Sequence, residues 1–215
     1  MKYFLILMLG SLFLFSCGKK RMIKVSAINP ATGEGYAYLP FKVTSSKSVF
    51  METQYKTEYE GELDENGQAA FELRQKNSRS YSIATSTPND DGSLPCYIND
   101  ASMSFSKPGT NYNFQFEYAP CAYLKLKIEN VNCEGAGDNF KLYFEGKQVP
   151  GDEFQDGTLM SEHDGCVSLE SDNFLEYPMG ERYYKWEVTR SGTTETFHDT
   201  IYLEENEQRV YEILY

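Results

Sequence analysis

The sequence predicts an all-β protein made of two tandem β-sandwich domains behind an export signal, and three observations predict it. Apolar residues alternate with polar ones at a period of two in window after window, the mark of half-buried strands. Clusters of Pro, Gly, Asn and Asp separate those windows, and no stretch keeps a 3.6-residue apolar period. Helices are therefore few and short, and many short strands with turns between them pack as a sandwich. Finally, 17 Tyr and 14 Phe against a single Trp suit the pleated surface of a sheet.

The first element stands outside the fold. Lys2 precedes an apolar run from Tyr3 to Phe15, followed by Ser16 and Cys17. Export machinery reads a charged start, a short apolar core and a small residue before the cut, and the run falls short of the ~20 apolar residues a bilayer span takes. Residues 1–16 are thus expected to be a signal peptide and 17–22 a short basic tether.

The first domain is expected over 23–119. Ile23, Val25 and Ala27 alternate with Lys24 and Ser26 and stop at the turn cluster Asn29-Pro30-Ala31-Thr32-Gly33. Phe41 and Val43 begin a second strand after Pro40, and Tyr55 to Leu63 forms a third. Asp64-Glu65-Asn66-Gly67 reads as a tight hairpin turn, because Asn and Gly tolerate the left-handed backbone. Ala69, Phe71 and Leu73 follow as a strand, then Tyr81 to Thr85, then a polar loop over Thr87 to Asp100 that holds Cys96. Asn111 to Tyr118 puts Tyr112, Phe114, Phe116 and Tyr118 on one face, an aromatic ladder that reads as a sheet face against a core.

The second domain is expected over 120–215, after the break at Ala119-Pro120-Cys121. Leu124, Leu126 and Ile128 alternate with Lys125, Lys127 and Glu129. Phe140, Leu142 and Phe144 form the next strand, and Tyr184, Trp186 and Val188 another. Phe197, Ile201 and Leu203 follow the Ser191-Gly192 turn, with Tyr211, Ile213 and Tyr215 last. The halves follow one plan. The strand from Lys24 matches that from Leu124, Asp64–Leu73 matches His163–Leu169, Ser80–Ile83 matches Tyr183–Trp186, and Asn111–Tyr118 matches Gln208–Tyr215.

Two resemblances add to this reading. Leu14-Phe15-Ser16-Cys17 resembles the lipobox of bacterial lipoproteins, which implies cleavage before Cys17 and acylation of that cysteine on sulfur and nitrogen. Two or more acyl chains hold a protein stably on a membrane, so the implied address is the bacterial outer membrane through a lipid anchor. Gly18-Lys19-Lys20 departs from the acidic residues usual after the cysteine in surface lipoproteins of the Bacteroidota, and the periplasmic and surface faces both stay open. Downstream, a strand, the turn Pro30-Ala31-Thr32-Gly33, a strand, Asp-x-Asn-Gly and then x-Phe-x-Leu resemble the carboxypeptidase-regulatory-like and transthyretin-like seven-stranded sandwiches. The resemblance covers 23–86 and, more loosely, 122–215, and it implies two domains of transthyretin-like or immunoglobulin-like type.

Composition narrows the chemistry. A net charge of −12 argues against nucleic acid, whose binders cluster Lys and Arg, and against a surface that hugs anionic headgroups. Setting Cys17 aside leaves Cys96, Cys121, Cys133 and Cys166, an even number suited to two disulfides in an oxidising compartment. Three connectivities are open; Cys96 with Cys121 and Cys133 with Cys166 is favoured because it keeps each bridge largely within one repeat.

No pair has Cys-x-x-Cys spacing, and His163 and His198 form no paired-ligand pattern, so no metal or cofactor is expected. Both histidines read as surface or turn residues, since no nucleophile signature surrounds either. Asp64-Glu65-Asn66 and Asn89-Asp90-Asp91 lack the alternating spacing of a calcium loop and read as turns. The expectation is a non-catalytic, lipid-anchored envelope module with a protein or glycan partner, and Tyr36, Tyr38, Tyr55 and Tyr59 are candidates to face outward. The alternative is a pilus anchor or minor pilin assembling by exchange of the strand Gln208–Tyr215; an envelope hydrolase ranks last.

Overall fold

A computed structural model describes residues 20–50, 52–89, 94–106, 110–144 and 157–215. The expected signal peptide, Cys17 and the Asp90-Asp91 pair lie outside the described residues. Within them the protein is all-β, and the chain falls into two compact units. Among the described residues the first holds 20–27, Gly35–Ser86 and Ala101–Gln115; the second holds Ile28–Glu34, Thr87–Asp100 and Phe116–Tyr215.

In the first unit, strands β1 (Lys20–Ile28), β4 (Gln68–Arg74) and the first half of β8 (Tyr112–Ala119) make one sheet in the order β4-β1-β8; the second half of β8 pairs with the short β6 (Tyr97–Ile98), and both of these fall in the second unit. The facing sheet runs β3-β2-β5-β7, from β2 (Pro40–Val49), β3 (Glu52–Glu62), β5 (Ser80–Thr85) and β7 (Met103–Phe105). Period-two alternation decides which residues meet. Ile23, Val25, Phe41, Val43, Phe71, Leu73, Ile83, Phe105 and Phe114 are all buried. Phe41 stacks on Phe71 at 5.3 Å and Phe105 tilts onto Phe114 at 5.1 Å, and these pairs join the two inner faces. Each such side chain contributes about 1.5–3 kcal/mol by leaving water.

The second unit repeats the order. Strand β9 (Cys121–Glu129) is flanked on one side by β12 (Ser168–Glu170) and β13 (Leu175–Pro178) and on the other by β16 (Gln208–Leu214). The second sheet runs β11-β10-β14-β15, from β10 (Asn139–Phe144), β11 (Thr158–Asp164), β14 (Gly180–Arg190) and β15 (Thr193–Leu203). Thus β4-β1-β8 corresponds to β12-β9-β16, and β3-β2-β5-β7 to β11-β10-β14-β15. The four stretches matched between the halves by sequence pattern fall on corresponding strands. The core of this unit joins Leu124 and Ile128 of β9, Phe140, Leu142 and Phe144 of β10, Tyr184 and Val188 of β14, Leu203 of β15 and Ile213 of β16.

Several expectations change. Residues 20–22, read as tether, are the start of β1: Lys20 pairs with Arg74 across the ladder and its ammonium reaches Glu72 at 2.7 Å. Opposite charges across the strands extend the pairing beyond the last apolar position. The turn at Asp64–Gly67 does not close a hairpin, since β3 pairs with β2 whereas β4 pairs with β1. It is a corner that carries the chain from one sheet to the other. The polar loop over 87–100 contains β6, whose Tyr97 is buried because it pairs with Ala119. Finally, β16 runs parallel to β9, which alternation cannot reveal.

Candidate functional site

Sheet edges are where these units offer unsatisfied backbone, and the edges differ. Strand β3 is a defended edge. Its pairing to β2 slips between Val43 and Thr44, leaving Glu58 as the extra residue of a β-bulge, a device that bends an edge away from further pairing. Glu58 is held there by Ser45 Oγ at 2.7 Å and Lys56 Nζ at 2.8 Å. Burial pushes its carboxyl up, but those hydrogen bonds and the charges of Lys56 and Arg79 outweigh it and hold the group below the ordinary range.

Strand β15 is built differently. The turn residues Ser191 and Gly192 both have positive φ (47° and 79°), the geometry of a two-residue hairpin loop whose twist matches its strands. From it β14 and β15 pair in eleven consecutive steps, Arg190 with Thr193 through Gly180 with Leu203, without a register shift. Ile201 and Leu203 tuck into the core, whereas Thr193 to Thr200 are exposed. No lysine, proline or bulge interrupts β15, and among the described residues no strand pairs with its outer edge. An edge so long and regular is a template for another strand.

Aromatic contacts stiffen this arm. Phe197, 38 % exposed, stacks on Trp186 at 5.7 Å. Tyr211 of β16 donates its hydroxyl proton to Asp199 Oδ2 at 2.6 Å and stacks on Tyr184 at 5.4 Å. Burial first, and the Asp199 bond second, push the Tyr211 phenol well above its ordinary range, so it stays a donor. On the outward face Thr189 and Thr194 hydroxyls meet at 2.8 Å. Tyr143 donates to Glu187 at 3.1 Å, and Lys185 lies 4.9 Å from the Tyr143 ring centre.

The residues singled out from sequence fall as follows. Cys96 is bonded to Cys121 and Cys133 to Cys166, with Cα separations of 4.9 and 5.3 Å. All four sit in the second unit, so each bridge lies within a single unit. Cys96, Cys121 and Glu176 bring three ligand-type atoms within 4.8 Å, but two sulfurs bonded to each other are not thiolate ligands. His163 lies half-buried opposite Phe140 on β11, and His198 is exposed on β15 opposite Lys185. The structure does not bring the two histidines to one strand pair. Asp64 Oδ1 accepts from the backbone N–H of Asn66 and of Gln68, both at 2.9 Å, which is turn chemistry. Tyr38 and Tyr55 are exposed as expected, at 63 % and 73 %. Tyr59 is exposed too, at 36 %, with its ring stacked on Phe71 at 4.1 Å, whereas Tyr36 is half-buried.

Sequence reasoning missed the open edge of β15 and one residue, Phe50, which projects from the β2–β3 hairpin fully exposed. Its signal was the apolar triplet Val49-Phe50-Met51 between polar neighbours, where a hairpin loop would ordinarily be polar.

No protein-family profile and no curated protein matches this chain. Solved structures do. The TIE protein of Bacillus anthracis is 16 % identical over 91 % of this chain and 34 % of its own, with a TM-score of 0.35. The shaft pilin spaA of Lactobacillus rhamnosus GG is 12 % identical over 91 % of this chain and 97 % of its own, with a TM-score of 0.34. GBS52, the minor pilin of Streptococcus agalactiae, is 13 % identical over 90 % of this chain and 94 % of its own, with a TM-score of 0.29. This chain thus spans about a third of the length of the Bacillus protein. Both identity and superposition are low, and the assignment of β-sandwiches rests on the sheets described above.

Proposed function

We propose that the protein is a non-catalytic assembly module of the bacterial cell envelope, held to the outer membrane through lipid on Cys17, which engages a protein partner along the open edge of β15. Its first sandwich unit acts as spacer and its second as binding unit. The observation that carries this reading is the contrast between edges: β3 is bulged and charged, whereas β15 offers an uninterrupted row of backbone groups. Such a row is chemically matched to an extended peptide, which adds main-chain hydrogen bonds and reads side chains at alternate positions. A glycan would leave those groups poorly paired, so a protein partner is favoured.

The test is a photocrosslinking residue in place of Thr196 in living cells, with one in place of exposed Lys24 on β1, a strand paired on both sides, as control. A discrete adduct from the first position and none from the second is expected; equal labelling at both overturns the reading. For the anchor, Cys17→Ala is expected to move the protein from the membrane to the soluble fraction, and an unchanged distribution refutes it.

A second reading, a pilus anchor or minor pilin that exchanges its terminal strand, draws on one observation. Among the described residues, strand β16 pairs with β9 alone and lies at the sheet margin. Val210 is aligned with Lys125, so Lys125→Cys with Val210→Cys separates the cases: a bond within one chain opposes exchange, and a bond between chains supports it.

A further inference from the structure

The inner face of β15 is covered along only part of its length. By the period of two, Glu195, Phe197, Asp199, Ile201 and Leu203 share that face. Ile201 and Leu203 are buried, whereas Glu195, Phe197 and Asp199 are exposed. Cross-strand pairing sets Trp186 beside Phe197 and Tyr184 beside Asp199 on this same face. The edge therefore presents an aromatic step, Phe197 stacked on Trp186, with one carboxylate on either side of it.

The charge of those carboxylates is not met within the chain. Asp199 accepts from the Tyr211 hydroxyl at 2.6 Å and from the N–H of Thr200 at 2.8 Å, both neutral donors. Among the described residues neither Glu195 nor Asp199 makes an ion pair, and on β14 Lys185 is taken by Glu187 at 3.0 Å and Arg190 by Asp138 at 3.7 Å.

A second copy does not supply the missing charge. Residues directly opposite in an antiparallel pair share a face, so the register that stacks Phe197 on its counterpart sets Glu195 against Asp199 at both ends. Like charges directly opposite are destabilising. Shifting one copy by two residues either way sets Phe197 against Glu195 or against Asp199, and a carboxylate then loses water beside a phenyl ring. The net charge of −12 adds repulsion between copies at longer range.

We infer that the β15 edge takes a strand of a different protein that carries a cation, an apolar residue and a second cation at alternate positions, facing Glu195, Phe197 and Asp199. Its intervening residues lie beside Thr194, Thr196, His198 and Thr200 on the other face, where threonine and other β-branched side chains pair well. The pattern reads the same in both directions, so parallel and antiparallel addition satisfy it alike. This inference rests on β15 being a binding edge and adds the chemistry of what binds there.

The test uses the full chain in detergent solution and a fluorescent peptide, Thr-Lys-Thr-Phe-Thr-Lys-Thr, with Thr-Glu-Thr-Phe-Thr-Glu-Thr as its counterpart, read by anisotropy. The lysine peptide is expected to bind about tenfold more tightly or better, and a photocrosslinking residue in place of Thr196 is expected to capture it. Glu195→Gln combined with Asp199→Asn, which keeps an acceptor for Tyr211, is expected to abolish the preference. Glu195→Lys alone is expected to raise affinity for the glutamate peptide, a gain that damage to the fold would not produce. A lysine peptide that fails to bind, or a preference that survives neutralisation of both acids, overturns the proposal. So does concentration-dependent dimerisation that Phe197→Thr abolishes, which makes a second copy the occupant. The edge reading fails separately: if the residue in place of Thr196 still gives its adduct in cells, β15 is a binding edge and only the chemistry assigned to the partner is wrong.

Discussion

Gly67 shows how one position fixes a corner. Its φ is +70°, and a Cβ there would approach Ala27 O and Tyr36 N at 2.7 Å each. Gly67→Ala therefore combines backbone strain with a clash against backbone that cannot move aside, and a loss of about 3 kcal/mol is expected in denaturant unfolding. Gly33 is the control: its φ of +77° is as demanding, yet nothing lies within 4 Å of an added Cβ, so Gly33→Ala should cost only about 1 kcal/mol. Asp64→Ala removes the acceptor of two backbone N–H groups and is expected to cost about 1–2 kcal/mol by the same measurement. The turn chemistry at 64–67 was legible in the sequence because it is local. Phe50 was not, because its meaning depends on exposure, which pattern does not report.

At the scale of elements, the alternation of Leu124, Ile128, Phe140 and Phe144 located strands and inward faces, since the side-chain period is a property of the backbone itself. It could not say which strands pair. The corner at 64–67 read as a hairpin for this reason, and the same ignorance hid the open edge of β15. Pairing is decided by burial of distant faces against one another, as Phe41 against Phe71. The Cys133–Cys166 bridge ties the loop after β9 to the start of β12 across 33 residues. Beside it, buried Asp138 accepts from Asn130 Nδ2 at 2.9 Å and from the Glu134 N–H at 3.0 Å, and Gly165 N–H donates to its carbonyl at 2.7 Å. Replacing both cysteines by serine is expected to cost about 3 kcal/mol in chemical denaturation, with a drop in midpoint and little change in the first unit's near-ultraviolet signal.

For the whole molecule, the charge balance sets the pH response. Backbone and Asn130 hydrogen bonds hold the Asp138 carboxyl below its ordinary range, Lys125 does so for Glu170, and Lys185 foremost for Glu187. Each is a group depressed on folding, so its contribution is fully present above the ordinary carboxylate range. It is lost as pH falls through the depressed values, because the unfolded chain then takes up protons more readily. Thermal midpoints should hold from neutral pH down to roughly pH 5 and fall below it, and a midpoint that rises on acidification would contradict these assignments. The repeated order of sheets was legible as a shared plan in two halves, whereas the grouping of 87–100 with the second unit was not, because it depends on a disulfide partner and on Tyr97 pairing with Ala119.

The parallel pairing of β9 with β16 also sets a timetable. Lys127 and Glu212, bonded at 2.9 Å, are 85 residues apart in the chain, and Tyr215 N–H closes onto Glu129 O at 3.0 Å. Strand β9 therefore waits for β16, and as the chain emerges from its N-terminus the inner face of β9 stays uncovered until β16 follows. Contacts this distant in sequence slow folding and prolong the exposure of sticky strands. A holding chaperone would matter more to the second unit than any single contact within it.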